Sequence, residues 1–440
     1  MSEPIVSKQE PGDPNVKSAY RALVEAVLSQ ANRNAWRVKD LCGIAFFDPR
    51  RDTRIQSVPE FDTVVARIGG LPLVAARFGT DQASRLALQL VYEYFRHLDA
   101  LRLDEEAIER IWGAFISELE DSNWTTSGVA NLRNFNSDVY PIDLGDGVSL
   151  RGRNVEELES MGFSEGPVEG IAADWSGFGA SSFVLVAEHL TAKQPDNFIM
   201  LDSVSVWTKA QRALGSLRLL ASGDLGLSPM WIVRSARFNV GMGGTTRIGA
   251  AIPGAAGSQY VWSADIGSAY PSVYSELAKL EHDGYGRSPG NLDLALRSFM
   301  ATYDSWPPFP DSKLLASITA LEAILGSGSE LAFRLSFRVA GLLASGDAER
   351  SGVLEALRDF YGTRSAIVHG GRLGEKHQIR LGRVDELRSL VRRLLRSFVG
   401  FAAATGDDVY NKAFFKEHLD AALVDNAQRE KLRRALGLVK

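Results

Sequence analysis

The stretch LEAILGSGSELAFRLSFRVAGLLASGDAERSGVLEALRDFYGTRSAIVHGG, residues 321–371, decides how the C-terminal part of this chain folds. Apolar residues recur at helical spacing up to Leu325, where Gly326 stops the run. A second run goes from Leu331 to Leu343 and closes at the turn Ser345-Gly346-Asp347. A third begins at Ala348 or Arg350 and reaches about Val368, as one helix or a broken pair, before Gly370-Gly371 ends it. Its last two turns hold Arg364 and His369. Arginine is permanently charged and forks onto phosphate oxygens, and histidine exchanges a proton near neutral pH. The two together form a minimal kit for cleaving a phosphodiester.

Working outward, further helices are predicted from Leu292 to Tyr303, from Ser312 to Leu325, from Val384 to about Ala403 and from Ala413 to Leu438. Trp306-Pro307-Pro308 stops the first, because proline cannot continue a helix. The succession ALEAILGSGSELAFRLSFRVAGLLA (320–344) followed by LRDFYGTRSAIVHGG (357–371) resembles the Apea-like branch of the HEPN (higher eukaryotes and prokaryotes nucleotide-binding) superfamily, over roughly residues 290–405. The resemblance implies an all-α bundle that pairs with a second copy and often cleaves RNA, with its Arg and His in a cleft between protomers. By matching positions, Arg364 and His369 carry that motif. Ser365 stands where many relatives have Asn, Asp or His, as is common in this branch.

The residues themselves add conditions. A single histidine supplies one proton transfer, worth roughly 10²–10⁴-fold, and leaves the other uncovered. Five residues on a straight helix turn about 500°, so Arg364 and His369 project roughly 140° apart. They converge only if the helix ends or distorts between them, or if a second copy contributes one of them. Glu322 interrupts the apolar stripe of Leu315, Ile318 and Leu325. It either orients Arg364 or His369, or sits at the core rim paired with Arg334 or Arg338. Arg388, Arg392 and Arg396, with Arg393 beside them, form an i, i+4, i+8 ridge that either tracks a phosphate backbone or decorates a solvated face. Tyr361 is a base-stacking aromatic or a core one. Ser365 is a hydrogen-bond donor beside a phosphate or a small residue that lets helices approach.

The rest of the chain divides by texture. Residues 1–15 read as a mobile tail and 16–120 as helices, with runs from Val16 to Gln30, Phe61 to Phe78, Ala83 to Leu101 and up to Leu119. Asp81 is a candidate cap, and Glu105-Glu106 suit a first helical turn. Residues 121–285 read as mixed α/β. Asp143 to Leu150 forms strand, turn and strand, Phe183–Ala187 and Trp231–Arg234 form buried strands, and Val206 to Leu220 forms a helix. Gly241 to Gly249 lacks the phosphate-loop pattern and reads as a turn. Residues 282–291 read as a linker, and 290–440 as the HEPN-like domain. The expected class is multidomain α+β: a helical N-terminal region, a mixed α/β middle and an all-α bundle at the C-terminus.

Composition sets the outer limits. One cysteine, Cys42, rules out a disulfide within the chain. The other histidines, His97, His189, His282, His377 and His418, show no metal-ligand spacing, so neither a metal nor a cofactor is expected. No apolar run approaches the roughly 18–20 residues of a membrane span, and no secretory leader is read, so the expected location is cytoplasmic. Residues 291–440 carry 22 Lys+Arg against 18 Asp+Glu, whereas 1–290 carry 27 against 36, which places the polyanion-facing part at the C-terminus. The expectation is a metal-independent endoribonuclease. It has RNA and a second copy as partners, and a trigger ligand or phage protein acting at residues 1–290. A non-catalytic binding or dimerisation module is the alternative.

Overall fold

The computed structural model describes residues 13–41, 49–96, 98, 100–154, 158, 161, 180–193, 199–234, 238, 246–248, 257–281, 290–304, 309–326, 330–370, 372–405 and 412–439. Most of the expected tail, most of the Gly241–Gly249 turn and most of the 282–291 linker lie outside the described residues.

Helices α1 (Pro14–Arg33), α2 (Pro49–Gln56), α3 (Glu60–Gly69), α4 (Pro72–Arg77), α5 (Ala83–Arg96) and α6 (Glu105–Glu120) form the N-terminal region. The run expected as one helix from Phe61 to Phe78 breaks at Gly70-Leu71, and Pro72 opens the next helix at its first position, where its missing N–H is no loss. Asp81 lies in a short 3₁₀ turn before α5, and Asp104 caps α6 through the Ala107 amide at 3.0 Å. The core here is built on Tyr20, Phe95, Trp112 and Phe115. Trp124 and Phe238, from the region that follows, complete it.

The middle region is an antiparallel sheet in the order β3-β4-β5-β1-β7-β8. Its strands are β1 (Asn123–Arg133), β3 (Ile142–Gly145), β4 (Val148–Gly152), β5 (Ala180–Ala192), β7 (Met230–Arg234) and β8 (Thr246–Ile248). Short β6 (Gly226–Leu227) pairs with β1, and β2 (Phe135–Asn136) pairs with β9 (Tyr260–Val261). The β3–β4 hairpin expected at 143–150 is present. The central strand β1 was not predicted. It carries Thr126, Ser127 and Asn131 fully buried, so it shows no apolar alternation. Helix α7 (Ile199–Leu220) lies across the sheet. Gly128 lets it approach: a Cβ there would stand 2.4 Å from Val206 Cγ1.

Helix α8 (Ala264–Leu280) then leads to the C-terminal helices: α9 (Asn291–Asp304), α10 (Pro310–Leu325), α11 (Leu331–Leu343), α12 (Asp347–Val368), α13 (Glu375–Leu381), α14 (Val384–Thr405), α15 (Lys412–Val424) and α16 (Asn426–Ala435). The expected last helix is two, divided where Asp425 caps α16 through the Ala427 amide at 2.7 Å. Of the two readings of the third run, one helix or a broken pair, the structure has the single unbroken helix, α12. Phe299, Ile318, Leu321, Leu335, Leu357, Phe360, Leu394 and Phe398 fill the core, together with Leu219 of α7 and Val273 and Leu277 of α8. The helical core therefore does not stop at residue 290. The chain is mixed α+β, with a sheet in the middle and a helical C-terminal region.

Candidate active site

Helix α12 carries the Arg–His motif to its end. His369 is the C-cap, with its amide donating to the Ser365 carbonyl at 3.1 Å. Gly370 follows at φ +69°, a left-handed turn that favours glycine and stops the helix. The helix therefore does not end between Arg364 and His369, and within one chain the two side chains leave it on different faces.

Arg364 is held by its neighbours. Its Nη2 lies 3.7 Å from Glu322 Oε1 of α10, and its guanidinium lies 5.6 Å from the Tyr361 ring centroid. Tyr361 donates its hydroxyl hydrogen to the same Glu322 Oε1 at 3.0 Å. Burial, then the hydrogen bond to Glu322, pushes the Tyr361 hydroxyl above its ordinary range, so it stays a donor. Glu322 thus faces Arg364 and Tyr361 rather than Arg334 or Arg338. Arg338 is buried and donates instead to the Leu325 carbonyl and to Asp420. Ser365 is half-buried on α12. The His369 side chain is exposed and has no hydrogen-bond or ion-pair partner among the described residues.

The arginine ridge is a correction. Arg388 and Arg392 are 2% and 6% exposed, so they neither track a phosphate backbone nor decorate a solvated face. The guanidiniums of Arg388 and of Arg218 from α7 lie 4.6 Å and 4.3 Å from the Tyr303 ring centroid. Arg388 Nη1 donates to Asp224 Oδ1 at 2.6 Å, and Lys313 Nζ to the same oxygen at 3.2 Å. Burial alone would raise the Asp224 carboxyl, but Arg388 and Lys313 outweigh it and hold it at about 2. Arg392 donates to the Arg218 carbonyl at 3.0 Å, and Arg396 pairs with Glu276 of α8. The ridge faces inward and fastens α14 to α7, α8 and the Asp224 loop. Only Arg393 is exposed, donating to the Leu343 carbonyl at 3.4 Å.

Two features of this neighbourhood escaped the sequence. His377 of α13 has Nδ1 3.1 Å from Thr363 Oγ1, while Thr363 Oγ1 donates to the Asp359 carbonyl at 3.0 Å. With the hydroxyl hydrogen spent there, Nδ1 of His377 is the donor of its pair. No residue spacing announced this contact, since it depends on a helix the sequence did not reveal. The second feature is a groove of about 710 Å³ beside Tyr361, lined also by Glu330, Leu331, Ala332 and Phe333. A larger hollow, about 990 Å³, lies at the β3–β4 edge and is lined by none of the predicted site residues.

No protein-family model matches the chain, and no curated protein or solved structure matches it either. Among the described residues no three His, Cys, Asp or Glu side chains gather to hold a metal ion, and no helix is long and apolar enough to cross a membrane.

Proposed function

We propose that the chain is a metal-independent endoribonuclease of the HEPN type, acting as a homodimer through its C-terminal helices. The observation that carries this reading is the contrast on α12. Arg364 is oriented by Glu322 and Tyr361, yet its partner oxygen stands at ion-pair rather than hydrogen-bond distance. His369 ends the same helix with its side chain in solvent.

In this reading the RNA 2′-oxygen attacks the adjacent phosphorus. The bond to the leaving 5′-oxygen breaks, giving a 2′,3′-cyclic phosphate and a 5′-hydroxyl. One His369 takes the proton from the 2′-hydroxyl as the new bond to phosphorus forms, and protonation of the leaving 5′-oxygen is left to a second group. Arg364 meets the charge that develops on the non-bridging oxygens. Because the two groups do not converge on one unbroken helix, a two-fold pairing of α12 brings the partner copy's set to the same cleft and supplies the second proton transfer. The biological role in keeping with such chemistry is a bacterial toxin or anti-phage effector acting on cellular RNA such as tRNA, with residues 1–290 sensing or regulating.

Expression of the wild type and of His369→Ala in cells, with total RNA and growth followed together, tests the reading. RNA decay and growth arrest with the wild type alone, from two proteins of equal oligomeric state, are expected. Intact RNA with the wild type, both before and after phage challenge, contradicts it.

A further inference from the structure

The groove beside Tyr361 opens onto an aromatic surface that the Arg–His motif does not use. Phe333 and Phe337 stand one turn apart on α11, their ring centroids 4.4 Å apart at an interplanar angle of 45°. Phe333 is 48% exposed, a large share for a phenylalanine on a packed helix. Arg358 of α12 crosses to this pair, its guanidinium 5.7 Å from the Phe333 centroid and 5.5 Å from that of Phe337. Arg358 is itself exposed and has no carboxylate partner among the described residues. Three residues further along the same helix stands Tyr361, which shares the groove with Phe333 and lies under Arg364.

Three rings and two guanidiniums therefore follow one another along one face: Phe337, Phe333, Arg358, Tyr361, Arg364. A planar cation laid on rings is preorganised to hold a phosphate while a base takes the exposed ring. Charge narrows the choice of occupant. Glu322 is engaged with Tyr361 and Arg364, and Glu330, the carboxylate that lines the groove, forms no ion pair with Arg358 among the described residues. A polyanion with flat, unstacked bases suits both the cation and the exposed ring.

We propose that Phe333, with Arg358 beside it, is a stacking subsite for an unpaired base of a single-stranded RNA, one step along the strand from Arg364. This rests on the nuclease reading for its direction into the cleft, and it makes an unpaired loop or end the preferred substrate rather than a duplex.

Full-length protein carrying His369→Ala, in which cleavage is expected to be roughly 10²–10⁴-fold slower, is titrated with a short unstructured single-stranded RNA and with the same strand in a duplex, by fluorescence anisotropy. Phe333→Ala in that background is expected to weaken single-strand binding roughly tenfold, with Phe333→Trp restoring it. Arg358→Ala is expected to weaken binding and to lower the salt slope by about one phosphate contact. Sedimentation should show an unchanged oligomeric state. In protein with His369 intact, Phe333→Ala should raise KM and leave kcat in place. Unchanged RNA affinity in Phe333→Ala overturns the proposal, and dissociation of a dimer in its place assigns the face to a second copy. The two readings fail separately. Loss of binding in a protein that cuts no RNA removes the nuclease and keeps the subsite, whereas cutting with unchanged KM removes the subsite alone.

Discussion

Arg388 on α14 and Arg364 on α12 belong to the same helical region, and helical spacing alone does not tell an inward guanidinium from an open one. Their surroundings do. Arg388 is buried against the Tyr303 ring with Asp224 at 2.6 Å, and its neighbours Arg392 and Arg396 are likewise spent on the carbonyl of Arg218 and on Glu276. Arg364 is half-buried, with its carboxylate at 3.7 Å, and Arg358 has only rings beneath it. Buried guanidiniums with short partnerships fasten α14 to α7, α8 and the Asp224 loop. Open ones with loose or absent partnerships are available to a ligand.

That contrast is broken or sharpened by substitution on each side of it. The largest effect is expected at the open end of α12: His369→Ala should lower RNA cleavage roughly 10²–10⁴-fold while leaving the melting temperature unmoved. Arg364→Ala should cost about 10²–10³-fold in kcat, again with folding intact. A thermal melt run beside each assay checks the separation, and a collapse of stability in either variant would erase it. On the buried side, Asp224→Ala leaves Arg388 short of its closest carboxylate and should destabilise by about 3 kcal/mol, read as a shifted denaturant midpoint. Smallest of all, Tyr361→Phe removes one hydrogen bond to Glu322 and should cost about 1 kcal/mol or less, appearing as weaker cleavage if Glu322 positions Arg364.

Acid adds a check on the same side. The Asp224 carboxyl sits at about 2 against an ordinary 3.8, so its stabilisation is complete above 3.8 and is lost as pH falls through about 2. Denaturant midpoints measured across that window should fall in the wild type and fall less in Asp224→Asn.

The sequence was legible where local chemistry decides the outcome. Gly326 and the Ser345-Gly346 turn bracket α11, whose bounds of Leu331–Leu343 were read directly. The Asp143–Leu150 run announced its hairpin. Partnerships distant in the chain were not legible. β1 looks polar, yet it is buried, with the Thr126 hydroxyl donating to Asp202 at 3.2 Å, far along the chain. The arginine ridge was visible as a ridge, but its facing was not, since Asp224 and Tyr303 come from other elements. Of the site, Arg364 and His369 stand out through the motif that carries the resemblance, and Glu322 through its place in an apolar stripe. Phe333 was passed over, because an exposed phenylalanine and a core one share the same helical spacing.

The most direct test is incubation of purified wild type and His369→Ala with total cellular RNA in EDTA, with the fragment termini analysed chemically. The account predicts 2′,3′-cyclic phosphate and 5′-hydroxyl ends from the wild type alone. Equal cleavage by both proteins, or fragments carrying 3′-hydroxyl ends, would contradict it.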